Sequence, residues 1–434
     1  MNEKVNKEII YLAGPNIISN ISVPLLSTVD TILMGNLSSL HLAAVGIGSM
    51  LFNIIYWNFG FLRMGTTGIT AQYYGGKDDA NVWLSFLRAA MLACFISFAL
   101  IIFQNSLLNI GTWSLNVSDA SEGLVAAYFN IRIWAAPASL LLMVVMGWFF
   151  GVQNAIYPLI LTLIINFVNI VLSYYLVEVQ GMGVHGVAWG TVVAQYIGLL
   201  FGIIFIYYKY NTYINNKVLS QLREWSAYGR FMKINLDLFI RTVCLTFAFG
   251  FFYSQSSKIS DTILAVNVVL MQYVNWMSYG IDGFAFACES LIGKYKGAKN
   301  ELLSLAVVRQ SFWWGGGVGL LYGLVYFIFG QQLFTVFSDD LLLYEAAESL
   351  LYYMALFPIV AFASYIWDGI FIGLTATSSM RNTMLMALIC FLFSFYILPV
   401  RSDGSHIWIS LIVFVIMRAV FQYLYYKKYG LSLK

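Results

Sequence analysis

Charged residues are scarce in this sequence, and their scarcity excludes most kinds of soluble protein. Only 10% of the 434 residues are Asp, Glu, Lys or Arg, whereas a soluble domain carries about 25%. Hydrophobic residues make up 60% of the chain, aromatic residues 17%, and the mean hydropathy is +0.78. Such a high aromatic content suits a protein with aromatic belts at both faces of a bilayer. The composition therefore predicts an all-α polytopic membrane protein.

Cysteines are also few, and the common metal and nucleotide motifs are missing. Cys94, Cys244, Cys288 and Cys390 lie alone in four different apolar segments, a pattern that predicts neither disulfides nor a zinc site. The sequence has no Walker A or metalloprotease motif and no basic run interleaved with aromatic residues. Its one GxGxxG match, Gly181–Gly186, follows no strand. We therefore expect no enzyme activity, cofactor, metal, ATP or nucleic acid.

Long apolar segments are what the sequence has instead. A helix that crosses a bilayer needs about 20 apolar residues, and windows of this length predict twelve transmembrane helices. They lie near residues 8–34, 42–73, 84–105, 124–153, 156–177, 184–208, 231–253, 262–292, 302–330, 344–376, 379–399 and 405–426. The first segment is too long for a signal peptide and no small-residue cleavage site follows it, so we expect a retained helix.

The positions of Lys and Arg predict the orientation of these helices. Most of the 23 basic residues fall on the same side as the N terminus, whereas the opposite loops hold only Lys258 and Arg401. Basic residues are enriched in cytoplasmic loops. We therefore expect a multi-pass protein of the cytoplasmic (inner) membrane with both termini in the cytoplasm.

Short motifs recur at one fixed spacing, which we call the repeat offset and define by the step from Tyr74 to Lys296. YGGKD (Tyr74–Asp78) is followed at this offset by KGAKN (Lys296–Asn300), and GWFFG (Gly147–Gly151) by GIFIG (Gly369–Gly373). The repeat predicts two pseudo-symmetric six-helix bundles. Their expected boundaries are an N-terminal lobe at 1–208, a cytoplasmic linker at 209–230 and a C-terminal lobe at 231–434.

Asp30 is the only charged residue between Ile9 and Leu40, and it follows Pro24 by six residues. A carboxylate within a membrane span is costly and normally faces a cavity or a partner. No basic residue shares its predicted span, so we expect a site for a proton or cation. The alternative is a side chain permanently bonded to neighbouring hydroxyls or amides.

Polar residues on the fifth predicted helix are candidates for those neighbours. Asn166, Asn169 and Ser173 follow the spacing i, i+3, i+7, which places them on one helix face. Amides on a membrane helix can join it to another helix, or these amides could bond Asp30. The spacing leaves both interpretations open.

A second set of charges lies in the spans toward the cytoplasmic side. Arg132 and Arg418 are further basic residues in or at the ends of spans. Asp237 and Arg241 are four residues apart and could pair on one face of their helix. We interpret the set either as a neutralised network between helices or as a second coupling site. Its members are Arg63, Asp237, Arg241, Asp282, Glu289 and Asp368.

Four stretches resemble the DinF-like branch of the multidrug and toxic compound extrusion (MATE) family. They are FGFLRMGTTGITAQYYGGKD (Phe59–Asp78), NLDLFIRT (Asn235–Thr242), SYGIDGFAFACESLIG (Ser278–Gly293) and DGIFIG (Asp368–Gly373). The resemblance covers nearly the whole chain. It implies two six-helix bundles in a V-shaped arrangement. It also implies export of organic compounds, often cationic, against inward H⁺ or Na⁺ flow.

The resemblance also implies roles for individual residues. Asp30 matches the functional aspartate of helix 1, and Asn169, Ser173 and Thr191 match an N-terminal lobe site. Family members often carry aspartate where this chain has Ser173, and serine does not titrate, so either Asp30 carries the coupling alone or the inner acids contribute.

We therefore expect a secondary active exporter of small cationic or amphipathic organic molecules, with membrane lipid around it. The alternatives are a lipid or lipid-linked oligosaccharide flippase, a passive channel and, with least support, a membrane enzyme.

Overall fold

The structure is a computed structural model that describes residues 2–35, 38–213, 221–222, 225–337 and 340–432. At residues 23–32, 35 and 225–227 only the backbone is described. This part of the chain forms α-helices joined by short turns and contains no strand. The helices are α1 (Asn2–Gly35), α2 (Ser39–Asn58), α3 (Phe61–Gly75), α4 (Asp79–Ile102), α5 (Gln104–Ser114), α6 (Asp119–Arg132), α7 (Ala136–Gly151), α8 (Ile156–Tyr174), α9 (Gly183–Tyr210), α10 (Trp225–Ile259), α11 (Asp261–Gly297), α12 (Glu301–Thr335), α13 (Leu341–Gly373), α14 (Thr377–Ile397) and α15 (Ser405–Tyr429). Short 3₁₀ turns cover Ile133–Ala135, Asn211–Tyr213 and Gly430–Ser432, and a π-helix covers Tyr175–Val179.

These helices confirm the all-α membrane fold. Among the described residues, ten helical segments are long and apolar enough to cross a bilayer. The α2–α3 and α6–α7 pairs each count as one of these segments. Helices α1 and α11, with 34 and 37 residues, cover the other two predicted spans.

Local details differ from the predicted spans. The second predicted span is interrupted, because α2 ends at Asn58 and α3 begins at Phe61. The short helix α5 was not predicted, since its Gln and Asn residues lower the apolarity on which the detection of a span depends. Helix α10 begins at Trp225, inside the segment predicted as a linker.

Matching caps recur at the repeat offset. Ser38 caps α2 by accepting from the His41 amide, and Ser260 caps α11 by accepting from the Ile263 amide. Lys77 and Lys299, which follow α3 and α11, both adopt left-handed backbone angles, with φ of 55° and 54°. The repeat inferred from short motifs is therefore present in the local backbone geometry.

The glycines of the repeated motifs pack against equivalent places. A Cβ atom on Gly147 of α7 would collide with the backbone oxygen of Arg63 on α3. A Cβ atom on Gly369 of α13 would collide in the same way with the oxygen of Ala285 on α11. Arg63 and Ala285 are themselves related by the repeat offset. Glycine is thus required at both positions by close contact between helix backbones.

The chain divides into two compact units. The first contains Met1–Ile17 and Met232–Lys434, and the second contains Ile18–Phe231. In the first unit, Glu8 of α1 contacts Lys294 of α11, with 3.4 Å between Oε1 and Nζ. In the second unit, the buried Trp148 indole donates to the backbone oxygen of Val82 at 3.0 Å. The lobe boundaries expected from the sequence stay a prediction.

Candidate functional site

Helix α1 carries the two residues on which the sequence argument for a coupling site rests. Its backbone is helical through Pro24 and Asp30. Their side chains lie outside the described part of the chain. The described part of the candidate site therefore consists of the residues predicted to surround these two side chains.

Three of those residues form a buried polar cluster between α8 and α9. The Asn169 amide nitrogen donates to Thr191 Oγ1 at 2.9 Å. Ser173 Oγ donates to the Asn169 amide oxygen at 3.5 Å, a long hydrogen bond. Thr191 donates its own proton to the Val187 backbone oxygen at 2.9 Å. Asn169 and Ser173 are fully buried and Thr191 is 5% exposed, so the cluster lies in the interior of the second unit.

One helical turn away, the same face of α8 contacts α1. The Asn166 amide donates to the backbone oxygen of Ser22 at 3.1 Å. The hydroxyls of Thr162 and Ser19 lie 2.8 Å apart. Asn166 thus joins two helices, as one of the two interpretations held. Ser19, Ser22 and Thr162 were missed, because a lone hydroxyl gives little sequence signal in an apolar helix.

Ser173 is held in a tight contact with α9. A Cβ atom added to Gly190 would lie 2.5 Å from Ser173 Oγ and 2.9 Å from its backbone nitrogen. The π-helix Tyr175–Val179 begins two residues later, and such turns are frequent at functional sites. The small side chain at 173 therefore coincides with a very close approach of the two helices.

Asp237 and Arg241, which their spacing would allow to pair, bond different partners. Arg241 instead donates to Asp368 of α13, a very short contact. Asp368 also accepts from Arg418 and Gln422 of α15, each at 2.7 Å. All four side chains of this Asp368 cluster are buried. Spacing along one helix failed here because the partner of Arg241 lies on a different helix.

Asp237 has its own set of partners at the start of α14. Its carboxylate lies 2.5 Å from Arg381 Nη1 and accepts from Thr377 at 3.1 Å and Ser378 at 2.8 Å. Arg381 lies near the start of α14, so a basic residue near the end of one helix pairs with a buried carboxylate of another.

Asp282, Glu289 and Arg63 are the remaining predicted charges. Asp282 of α11 acts electrostatically on Tyr279 and Tyr365, and Glu289 of the same helix is buried. Arg63 belongs to the second unit, whereas the other five members of the predicted set belong to the first. The structure therefore joins Arg241 to Asp368, gives Asp237 a different set of partners, and places Arg63 in the other unit.

Cysteine, histidine and acidic side chains supply no metal site in the described residues. All four cysteines are free.

Comparison with known proteins identifies the family. The family model described as MatE matches residues 15–175 and 238–400, once in each half of the chain. The chain belongs to this family. It is therefore a multidrug and toxin extrusion (MATE) transporter and not an enzyme.

Individual relatives agree with this assignment. DNA damage-inducible protein F of Escherichia coli is 32% identical over 96% of this chain and 90% of its own length. The Probable multidrug resistance protein NorM of Thermotoga maritima is 24% identical over 78% of this chain and 73% of its own. A crystal structure of a MATE protein in the bent conformation superposes with a TM-score of 0.84, covering 98% of this chain and 95% of that one at 19% identity. MATE transporters move small organic substrates and couple this movement to an ion.

Proposed function

We propose that this MATE transporter is a secondary active exporter of small cationic or amphipathic organic molecules, driven by inward flow of H⁺ or Na⁺. The observation that carries the proposal is the buried cluster of Asn169, Ser173 and Thr191. Polar residues inside membrane spans often mark ion or substrate pathways. The same face of α8 bonds α1 through Asn166, and α1 is the helix that carries Asp30.

In the proposed mechanism Asp30 is the coupling residue. Protonation from outside would loosen its bonds to Asn169, Ser173 or Thr191. It would also remove a negative charge that attracts a cationic substrate. Helix α1 would then bend at Pro24 and release the substrate outward. Serine does not titrate near neutral pH, so Ser173 leaves Asp30 as the only carboxylate that we assign to coupling in this half.

For the inner charges we propose the structural interpretation. Two guanidinium groups and one amide surround the Asp368 carboxylate. Removing one partner from a buried ion pair leaves an uncompensated charge, which is strongly destabilising. The cluster therefore supports a structural network of paired charges that joins α10, α13 and α15, not a second exchange site.

Flux measurements in proteoliposomes test the proposal. The wild-type protein should move a fluorescent organic cation when a pH or sodium gradient is imposed, and Asp30→Asn should abolish this flux. Asp119→Asn makes the same chemical change at an exposed carboxylate and should keep full activity. Full flux in Asp30→Asn would contradict the coupling role. Dependence on sodium alone would make Na⁺ the coupling ion.

The alternative function has a distinct outcome in the same vesicles. A flippase would move a fluorescent phospholipid between leaflets and leave the organic cation in place. A passive channel would pass the cation without regard to either gradient.

We further propose that the protein lies in the cytoplasmic (inner) membrane with both termini inside, because its basic residues concentrate on that side. Tags at either end should resist protease in intact cells and become cleavable in inverted vesicles.

A further inference from the structure

Arg132 is a charged residue within a candidate membrane span that the proposed mechanism does not use. It is the last residue of α6, in the span Asp119–Gly151. Thirteen residues of helix place it about 20 Å from Asp119, well inside a hydrocarbon core about 30 Å thick. A charge at this depth is costly and indicates function unless a partner neutralises it.

Among the described side chains, no carboxylate forms an ion pair with Arg132. Two aromatic rings of α2 hold the guanidinium instead, with Cζ 5.3 Å from the centre of Phe52 and 5.8 Å from that of Tyr56. Ring faces attract a cation but do not accept all of its N–H groups. Nη1 is buried and makes no hydrogen bond.

Two more hydrogen-bond donors accompany the guanidinium. The Tyr56 hydroxyl lies close enough to Arg132 and to Ser139 of α7 to interact with both. Yet Tyr56 OH and Ser139 Oγ are also buried without a hydrogen bond of ordinary geometry. Ser139 is only 7% exposed. Leaving buried polar groups unbonded is unfavourable, so three together indicate that a further group completes them.

The backbone is irregular at the same place. Residues Ile133–Ala135 form one 3₁₀ turn between α6 and α7. Pro137 has no N–H to give to the Ile133 oxygen, which accepts from Ala136 instead. Arg132 and Ser139 therefore flank an interruption in a membrane helix. Interrupted helices in transporters are common where substrate binds.

We propose that Arg132, Tyr56 and Ser139 bind the carboxylate of a transported amphipathic organic molecule. All three can donate hydrogen bonds, and a carboxylate has two oxygens that accept them. The positive charge of Arg132 would repel a purely cationic group at this point. The substrate class is then a molecule with an apolar body and a free carboxylate, with or without a separate cationic group. This inference rests on the proposed export function and narrows its substrate.

A pair of dyes that differ only at the carboxylate tests the inference. One is a rhodamine with a free benzoate and the other is its methyl ester. Binding to detergent-purified protein is measured by fluorescence anisotropy, without any ion gradient. The wild-type protein should bind the free acid about tenfold more tightly than the ester, as expected for one charge-assisted hydrogen-bonded contact.

Variants then assign the preference to the site. Arg132→Gln should remove the preference and keep the binding of the ester, which also shows that the variant is folded. Tyr56→Phe should reduce the preference in part. Arg88→Gln is the matched control, because Arg88 is a buried arginine of the same unit that, like Arg132, packs on an aromatic ring, here that of Tyr228. That control should leave the preference unchanged.

Several outcomes would overturn the inference. They are equal binding of the two dyes by the wild-type protein, no binding of the free acid, and an unchanged preference in Arg132→Gln. None of them depends on coupling, since the assay has no gradient. Conversely, loss of gradient-driven flux with an intact preference for the acid would overturn the export proposal alone.

Discussion

The Asn169 amide donates to the hydroxyl of Thr191 across the contact between α8 and α9, and both side chains are buried. This bond joins the two helices that hold the centre of the candidate site. Removing this hydrogen bond should therefore lower the stability of the protein.

Thr191→Val should destabilise the protein by about 1–3 kcal/mol, because an isosteric apolar side chain leaves the Asn169 amide without its acceptor. Thr191→Ser keeps the hydroxyl and should stay near the wild type. Thermal unfolding in detergent measures the difference. Equal stability of the two variants would show that the bond does not form.

Asp368→Asn should cost more than the loss of either arginine that binds it. Removing the carboxylate charge leaves Arg241 and Arg418 buried and unneutralised, a loss of about 3–5 kcal/mol. Arg241→Gln leaves Arg418 in place on Asp368, so it should cost less, about 1.5–3 kcal/mol. Unfolding curves of the two variants decide the order. A larger loss of stability in Arg241→Gln than in Asp368→Asn would contradict the conclusion that Asp368 pairs with both arginines.

Gly147→Ala and Gly369→Ala should destabilise the protein to a similar degree, about 1–3 kcal/mol each. Each new methyl group would collide with a backbone oxygen of the neighbouring helix. Gly46→Ala is the control, since a Cβ atom there meets nothing within 4 Å. It should add about 0.5–1 kcal/mol of stability, because alanine favours a helix interior over glycine. Melting temperatures of all three variants test this contrast.

The loop before α15 should give a small dependence of stability on acid pH. Burial raises the pKa of the Asp403 carboxyl, but bonds from the Ser405 amide and hydroxyl and the charge of Arg401 outweigh it and lower the pKa overall. A lowered pKa gives stability that is present above the unfolded value of about 3.9 and is lost as pH falls through the folded value. Asp403→Asn should therefore melt below the wild type at pH 6, and the gap should close below about pH 4. A constant gap would contradict the assignment.

Hydropathy in the sequence was sufficient to predict the membrane spans, because each helix must be apolar along a hydrocarbon core about 30 Å thick. Because hydropathy is averaged over the length of a span, it did not reveal the break at Phe59–Gly60 or the short helix α5. A two-residue interruption hardly changes the mean over a whole span, and a helix of 11 residues does not fill one.

Partners of polar residues were harder to predict than their presence. Asn169, Ser173 and Thr191 were grouped by the family resemblance, and the structure brings them together. Asp237 and Arg241 were paired by spacing, and the structure gives them different partners. Spacing reports which residues share a helix face, whereas the partner depends on which helix lies opposite that face. Arg132 was noticed only as a charge, since Tyr56 is distant from it in sequence and Ser139 is a lone hydroxyl.

The duplicated glycine contacts have a consequence for how this chain can change over evolutionary time. Both halves keep the same caps and the same helix-to-helix contacts at Gly147 and Gly369, but they do not keep the same charges. The repeat offset relates Asp368 to Met146, and it relates Arg132 to Met354. One scaffold inherited twice has therefore acquired two different chemistries. Substitutions in one half can therefore change which substrate is transported, while the other half keeps the helix packing that both share.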